Sequence, residues 1–240
     1  MASYLRHIWD KNDWLYEGQH GFGPGYSCES QVITVCQHIA NSMDNGDRMD
    51  AIVINFSKAF DLVPHDRLLM KIANSDVGSR VVAWVREFLL DRTQRVRGQL
   101  SEEVRVTSGV PQGSVLGPLL FLAYVNDIWR NIVSTIRHFA DDCLIYRKII
   151  NNENIEMLQK DLDRLREWAA ENAMKINQGE CKAVRFTMAR VKDPLNYTLG
   201  DQLIPEANSC KYLEIILRSD LSWADLVNYT VKRPGRHYIS

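Results

Sequence analysis

Residues 137–146 read RHFADDCLIY and place two adjacent aspartates, Asp141 and Asp142, directly before an apolar run. Neighbouring carboxylates repel each other, so each tends to stay protonated unless a cation neutralises the pair or both lie in water. One interpretation is a tight hairpin turn, because Asp is a favoured turn residue and polar residues between apolar runs are typical of hairpins. The other interpretation is a cation site. Both remain open at this point.

The composition is that of a globular protein with a substantial core. The chain has 240 residues, of which 45% are hydrophobic and 25% charged, which suits one large domain or two lobes. No apolar run approaches the roughly 18 residues of a membrane span, and the opening MASYLRHIWDKNDW lacks the apolar region of a secretory signal. We therefore expect an intracellular protein, nuclear or cytoplasmic, without a membrane partner.

Charge and cysteine usage narrow the possible partners further. The net charge of −1 argues against a generally basic protein, so any contact with nucleic acid has to use local patches. The five cysteines form no C-x-x-C pair and are scattered through apolar segments, which predicts reduced, mostly buried thiols. They are Cys28, Cys36, Cys143, Cys181 and Cys210.

Hydrophobic periodicity predicts helices interspersed with short strands. Three predicted helices are marked by their first residues: one is capped by Ser27 and ends at Gly46, one is opened by Pro64, and one is capped by Gly117 and starts at Pro118. Two more are marked by an apolar face, which consists of Val81, Trp84, Val85, Phe88 and Leu89 in the first and of Leu158, Leu162, Leu165 and Trp168 in the second. The predicted strands are a buried one at 51–56, a basic hairpin at 91–106, and short ones at 181–186 and 210–217. Because several strands look hairpin-linked, the expected fold class is α+β.

Three segments in a characteristic order resemble a reverse transcriptase. They are the strand INFSKAFD (54–61), the loop SGVPQGSVLGP (108–118) and the hairpin FADD (139–142). More closely, the chain resembles non-LTR retrotransposon polymerases of the jockey or LINE type. The segments that carry this resemblance are QHGF (19–22), FSKAFDLVPHDRLL (56–69), VPQGSVLGPLLFLAYVNDI (110–128), FADD, and KYL (211–213) followed by SDLSW (219–223).

The resemblance implies a right-hand polymerase palm with fingers, in which helices back an antiparallel sheet that carries the metal site. Residues 1–190 would form the fingers and palm, and residues 191–240 the end of the palm, primer-grip-like strands and a truncated connection to a thumb. The implied activity is RNA-directed DNA polymerisation, with an RNA template, a DNA primer and deoxynucleoside triphosphates as partners. In such elements an endonuclease is expected upstream.

The implied chemistry explains the adjacent aspartates. Nucleotide addition uses two divalent ions, Mg²⁺ or Mn²⁺, about 4 Å apart, to stabilise the attacking and leaving oxygens, and such ions prefer carboxylate oxygen. The resemblance implies catalytic roles for Asp141, Asp142 and Asn55, and a metal site of these three residues with Phe56.

The family has an Asp at the position of Asn55. An amide carries no charge, so we expect weaker metal binding and a catalytically impaired copy. The alternative is that Asn55 only hydrogen-bonds within the sheet.

Further departures from the family pattern concern phosphate and the primer. Gly23 and Tyr26 stand where the family has basic residues implied to hold the triphosphate. Glu180 replaces a lysine that is a candidate general acid, which leaves Lys182 as the nearby possible general acid. Glu214 replaces a turn glycine, where we expect backbone strain.

The implied nucleotide and template contacts are intact. Phe60 matches the bulky aromatic that favours deoxynucleotides, with a plain core aromatic as the alternative. Gln112 and Gly113 match residues that contact the incoming nucleotide. Four arginines either follow template phosphates or form a solvated face: Arg92, Arg95, Arg97 and Arg105.

Two other functions remain open from the sequence. An inactive relic of the polymerase would bind primer–template without extending it. A metal-dependent hydrolase using Asp141 and Asp142 would act independently of a primer, but it leaves VPQGSVLGPLLF without a role.

Overall fold

The computed structural model describes residues 1–90, 92–94, 103–189 and 193–222. Its helices are α1 Ala2–Lys11, α2 Cys28–Asp44, α3 His65–Ala73, α4 Ser79–Leu89, α5 Leu116–Val125 and α6 Asn152–Glu171. Its strands are β1 Arg48–Ile54, β2 Phe56–Ser57, β3 Thr93–Gln94, β4 Val104–Arg105, β5 Thr135–Phe139, β6 Asp142–Ile149, β7 Lys175–Ile176, β8 Lys182–Phe186, β9 Thr198–Leu199, β10 Gln202–Leu203, β11 Ser209–Tyr212 and β12 Ile215–Arg218. None of the helices in these ranges is long and apolar enough to span a membrane.

A four-stranded antiparallel sheet in the order β5-β6-β1-β8 lies at the centre of the fold. β1 is paired on both edges, and every residue of it after Arg48 is buried because both faces of the sheet are covered; residues 51–54 accordingly form a continuous apolar run. The mixture of hairpin-linked strands and separate helices confirms the predicted α+β class.

The two faces of this sheet are buried by different elements, as the two-residue period of a strand requires. Ile52, Ile54 and Ile145 point into a core that contains residues of α3, α5 and α6. Val53 and Leu144 point into a second cluster formed with α2 and the β11–β12 hairpin. The sheet is therefore covered on both faces, and polar side chains collect where its strands end.

Most predicted helices are confirmed, with local differences. Ser27 caps α2 through a reciprocal pair of hydrogen bonds with Ser30, and Pro64 is the residue before α3. In α4, Val85 and Leu89 are buried, whereas Trp84 is 42% exposed and stacks on Phe88. The five cysteines are free, and three of them are buried, as predicted.

The predicted start of α5 is wrong. The helix begins at Leu116 instead of Pro118, and the residue before it is Val115 instead of Gly117. The Ser114 hydroxyl accepts the Gly117 N–H at 2.9 Å and donates to the Pro111 carbonyl at 2.8 Å, so the PQGS turn itself starts the helix. A side chain at Gly117 would place Cβ 2.3 Å from the Pro111 oxygen, which explains the glycine.

The predicted strands need two corrections. The strand at 51–56 is interrupted at Asn55, after which Phe56–Ser57 pairs with β7 instead of continuing the central sheet. The segment 210–217 is a hairpin, because Leu213 and Glu214 form a two-residue turn with φ of 50° and 64°. Of the predicted hairpin at 91–106, β3 pairs with β4, while residues 91 and 95–102 lie outside the described residues.

Candidate active site

The two aspartates lie at the tip of the β5–β6 hairpin. Phe139 pairs with Asp142, which leaves Ala140 and Asp141 as a two-residue turn, and Ala140 has a φ of 56°. Both carboxylates are half-buried. The hairpin interpretation is therefore correct for the backbone, and this turn presents the two acids at one end of the sheet.

Asn55 reaches the same end of the sheet from β1. The last β1–β6 pair is Ile54 with Cys143, and Asn55 and Asp142 are each the next residue beyond it. Because neighbouring strands lie about 5 Å apart, Asn55 emerges beside the two aspartates. The predicted grouping of Asn55 with the hairpin agrees with this register, while the roles of the three residues stay predictions.

The electrostatics of the hairpin tip favour a bound cation. Burial, then the charge of Asp141, then that of Glu214 raise the pKa of Asp142 to about 6, against a smaller opposite effect of Lys211. Burial also raises the pKa of Asp141, although a hydrogen bond from its own backbone N–H opposes the shift. At neutral pH Asp142 is thus mainly ionised, although burial and the neighbouring negative charges make its ionised form unfavourable. A divalent cation would stabilise that ionised form.

The residues at this end of the sheet fit a divalent ion only in part. Within the part of the chain that the structure describes, no group of three or more His, Cys, Asp or Glu side chains is placed to hold a metal. Asp141 and Asp142 supply two carboxylates, and the neighbouring side chain at the end of β1 is the Asn55 carboxamide, which has a neutral acceptor oxygen.

Asn55 makes a backbone hydrogen bond next to the sheet. The Asn55 carbonyl oxygen accepts the N–H of Asn177 at 2.7 Å, a bond that any residue would make through its backbone. Phe56, predicted in the metal site, is buried, and its ring meets Trp168 edge to face at 6.5 Å. Its side chain belongs to the core, which leaves only its backbone for a metal.

Lys182 lies on the other side of β1 from the acids. It begins β8 and pairs with Val53, so β1 separates it from β6 by two strand spacings, about 10 Å. Glu180 is exposed in the short 3₁₀ turn before this strand. The role of Lys182 as a general acid stays a prediction.

Phe60 is held in an aromatic stack. Its ring stacks on Phe121 at 4.1 Å between centroids, and Phe22 meets it edge to face at 6.4 Å. Phe60 is half-buried, so one side of the ring packs in the core while part of it stays accessible. This placement agrees with a core aromatic and also leaves part of the ring accessible for the predicted role in favouring deoxynucleotides.

Hydrogen bonds join the segment after Phe60 to the loop that carries Gln112. The Val110 N–H donates to the Phe60 carbonyl at 2.8 Å, and the Gln112 amide donates to Asp61 at 2.8 Å. Gly109 has a φ of 90°, and a Cβ there would lie 2.8 Å from the Asp61 carbonyl oxygen. Gly113 also has positive φ, at 78°, but faces open space. The loop thus presents the Gln112 and Gly113 backbone at a fixed distance from Phe60.

A cavity of about 940 Å³ opens between this loop and the β3–β4 hairpin. Among its lining residues are Lys58, Asp61, Arg92, Arg105 and Gln112. The two described arginines of the predicted run therefore lie on a cavity wall shared with Gln112, which favours the nucleic-acid interpretation. Arg95 and Arg97 lie outside the described residues.

Two departures from the family pattern are linked in space. The Tyr26 ring stacks on His20 at 3.9 Å, and a Cβ at Gly23 would lie 2.9 Å from that ring. A basic residue at Gly23 would therefore have to displace Tyr26, so the two positions are coupled. At another departure, Glu214 has a φ of 64°, in the left-handed region, which confirms the expected strain. Its carboxylate pairs with Lys211 at 2.6 Å.

The sequence does not predict the contact between the hairpin tip and the segment 16–23. His20 N–H donates to the His138 carbonyl and His138 N–H to the Gly18 carbonyl, so this segment runs along the outer edge of β5. Only the QHGF motif, as part of the family pattern, gave a signal for it in the sequence.

An antiparallel sheet with paired acids on a hairpin beside the inner strand β1 is the arrangement expected of a polymerase palm. The family model described as "Reverse transcriptase (RNA-dependent DNA polymerase)" matches residues 4–217, and the chain therefore belongs to the reverse transcriptase family.

Curated relatives are polymerases of mobile elements. The chain is 31% identical over 234 residues to the "Probable RNA-directed DNA polymerase from transposon X-element" of Drosophila melanogaster, covering 92% of this chain and 26% of that protein. It is 29% identical to the "RNA-directed DNA polymerase from mobile element jockey" of Drosophila funebris, covering 85% and 23%. The chain thus spans about a quarter of the length of these relatives, and the predicted resemblance to non-LTR elements is confirmed.

Solved structures with the same fold include telomerases. An apo telomerase from Candida tropicalis matches with a TM-score of 0.62 and 11% identity, over 92% of this chain and 40% of that one. A telomerase from Candida albicans in complex with a fragment of telomeric RNA matches with a TM-score of 0.59 and 12% identity, over 91% and 36%. At such low identity these matches establish the polymerase fold alone.

Proposed function

We propose that this chain is the polymerase domain of a non-LTR retrotransposon and adds deoxynucleotides to a DNA primer on an RNA template. The observation that carries the proposal is the position of Asp141 and Asp142, on a hairpin tip beside the end of β1, within a chain of the reverse transcriptase family. The names of the curated relatives, both RNA-directed DNA polymerases, support the same reaction.

The residues of the chain suit the separate parts of this reaction. Asp141 and Asp142, with the Asn55 oxygen, would hold Mg²⁺ or Mn²⁺, which supply charge stabilisation to the attacking and leaving oxygens. Gln112 and the exposed part of Phe60 would line the site of the incoming nucleotide. Lys182, across β1, is the proposed proton donor to the leaving pyrophosphate.

The basic wall of the 940 Å³ cavity would take the template backbone. Arg92 and Arg105 are exposed on the two short strands that form this wall. Phosphate contacts of this kind position a strand without reading its sequence. The proposal therefore predicts binding to RNA templates of any sequence.

We further propose that this copy is impaired, because Asn55 contributes no charge. Two carboxylates then face the ions in place of three, which weakens both metal binding and transition-state stabilisation. Loss of one electrostatic group at an active site costs on the order of 10²-fold in rate. Mn²⁺ tolerates imperfect coordination better than Mg²⁺, so it should help this copy more than a repaired one.

Single-nucleotide primer extension on an RNA template tests the proposal. We expect weak incorporation by the unchanged chain, a clear rise for Asn55→Asp, and none for Asp141→Asn. Asn152→Asp, an exposed position at the start of α6, makes the same charge change away from the site and should leave the rate unchanged.

The outcomes separate the competing functions. Binding of primer–template without extension in any variant would identify a relic that only binds nucleic acid. Hydrolysis that does not depend on a primer would identify a hydrolase. Equal extension by the unchanged chain and Asn55→Asp would refute the proposed impairment.

A further inference from the structure

We propose that Gln19 is a positioning residue that holds the hairpin tip in the conformation that presents Asp141. Gln19 is not one of the acidic residues. It lies in the segment that runs along the outer edge of β5. The inference rests on the proposed polymerase function for its kinetic consequence, but its structural part can be measured independently.

One carboxamide satisfies both polar backbone groups of Ala140. The Gln19 Oε1 atom accepts the Ala140 N–H at 3.0 Å, and the Gln19 Nε2 atom donates to the Ala140 carbonyl at 3.2 Å. The same Oε1 atom also accepts the Gly21 N–H at 2.9 Å. Two hydrogen bonds thereby connect Gln19 to the hairpin tip, and the third, within its own segment, orients the carboxamide.

Ala140 needs such support because of its backbone. Its φ of 56° lies in the left-handed region, which is unfavourable for a residue with a Cβ. The β5–β6 ladder ends at the pair Phe139–Asp142, so Ala140 and Asp141 lie beyond the regular hydrogen bonds of the sheet. The Ala140 carbonyl belongs to the peptide that leads into Asp141, and fixing that peptide restricts where the Asp141 carboxylate points.

The backbone on both sides of Gln19 is itself held in place. The His20 N–H donates to the His138 carbonyl at 3.0 Å, and the His138 N–H donates to the Gly18 carbonyl at 2.9 Å. At Gly21 a Cβ would lie 2.2 Å from the Ala140 nitrogen, so the chain passes the tip at a distance that only glycine allows. The backbone of Gln19 is therefore fixed on both sides, which restricts the position of its carboxamide relative to Ala140.

The chain offers a matched control in Gln159. Its Oε1 atom accepts the Thr198 N–H at 2.9 Å and its Nε2 atom donates to the Thr198 carbonyl at 3.1 Å. This is the same arrangement of one carboxamide around one residue, but it joins α6 to β9 instead of the acidic hairpin. Gln159→Met thus removes comparable bonds without touching the site.

The test compares Gln19→Met with Gln159→Met, because Met keeps the length of the side chain and cannot make these hydrogen bonds. In primer extension, in both the unchanged chain and the Asn55→Asp background, we expect Gln19→Met to lower kcat about tenfold. The KM for the deoxynucleotide and the Kd for primer–template should stay within about twofold, since the variant leaves Gln112 and the basic cavity wall intact. Gln159→Met should change neither kcat nor KM.

A second measurement does not require activity. Hydrogen exchange of the Ala140 amide, followed by NMR, should be at least about tenfold faster in Gln19→Met than in the unchanged chain, because the acceptor of that N–H is lost. In Gln159→Met the Ala140 amide should exchange at the original rate. Gln19→Asn, whose shorter side chain falls short of Ala140, provides a milder variant that should shift the exchange rate in the same direction.

The possible failures are distinguishable. Unchanged Ala140 exchange and unchanged kcat in Gln19→Met would overturn the role of Gln19 and leave the proposed polymerase untouched. A fall in kcat shared equally by Gln159→Met would also overturn it, because the effect would then be one of general stability. Absence of extension in every variant, with faster Ala140 exchange in Gln19→Met, would overturn the proposed function while supporting the structural role of Gln19.

Discussion

Replacing Asp142 by asparagine should stabilise the fold at neutral pH. In the folded chain the pKa of Asp142 is about 6, compared with 3.8 for a solvent-exposed aspartate, because partial burial and then the charge of Asp141 disfavour the ionised form. Above pH 6 the folded state therefore carries an ionised carboxylate that the unfolded chain ionises more easily. Asparagine is nearly isosteric and never carries this charge.

The magnitude follows from the shift in pKa. A rise of about two pKa units corresponds to about 3 kcal/mol, and the solvent that still reaches the group reduces the expected gain to about 2 kcal/mol. The folded state holds its proton longer than the unfolded state, so the stability of the unchanged chain falls as the pH rises from about 4 to about 6. The gain from Asp142→Asn should thus be full at pH 7.5 and only about a quarter as large at pH 4.

Thermal unfolding in a metal-free buffer measures the effect. For a chain of this size about 2 kcal/mol corresponds to a rise in Tm of roughly 4–8 °C at pH 7.5. Asp201→Asn, an exposed position in the β9–β10 turn, makes the same change in charge and should leave Tm within about 1 °C. A gain of equal size at both pH values, or no gain at pH 7.5, would refute the electrostatic reasoning.

Three further predictions concern the arginines of the cavity wall, Phe60, and the turn between β11 and β12. Replacing Arg92 and Arg105 by glutamine should weaken primer–template binding and flatten its log–log salt dependence by about one unit per lost phosphate contact; an unchanged slope in binding titrations would assign both residues to plain solvated surface. Phe60→Val should raise ribonucleotide incorporation relative to deoxynucleotide on the order of tenfold in primer extension, whereas unchanged discrimination would leave Phe60 as a core aromatic. Glu214→Gly should raise the free energy of unfolding in urea by about 1 kcal/mol, because the turn has a φ of 64° there, while Glu214→Ala, which keeps a Cβ, should lack that gain.

Local patterns in the sequence predicted most of the helices and the α+β class. The Ser27 cap, the apolar spacing of α6 and the buried run of β1 each depend on neighbours within a few residues, and all three are present in the structure. The sequence misplaces the start of α5, because Gly117 before Pro118 fits the pattern of a cap, whereas the Ser114 hydroxyl closes the turn. That difference arises within four residues, where several capping patterns compete.

The hairpin that carries the aspartates shows where local reasoning ends. From the sequence, a turn and a cation site were alternatives, but the structure uses the turn to present the acids beside Asn55. The order of the family motifs predicted this meeting, yet periodicity alone does not fix which strands pair. Strand order depends on which apolar faces bury one another, and that is settled by packing across the whole chain.

The sequence by itself determined the amphipathic elements, the reduced cysteines, the acidic turn and, through its motifs, membership of the reverse transcriptase family. Only the tertiary structure decided which groups surround that turn. Gln19 reaches Ala140 across 121 residues of chain, and Gln112 reaches Asp61 across 51. Such contacts leave no periodic signal, because hydrogen-bond partners far apart in sequence are chosen by the final packing of the sheet and its neighbours. The same packing buries Asp142 and raises its pKa, a property that no residue has before the chain folds.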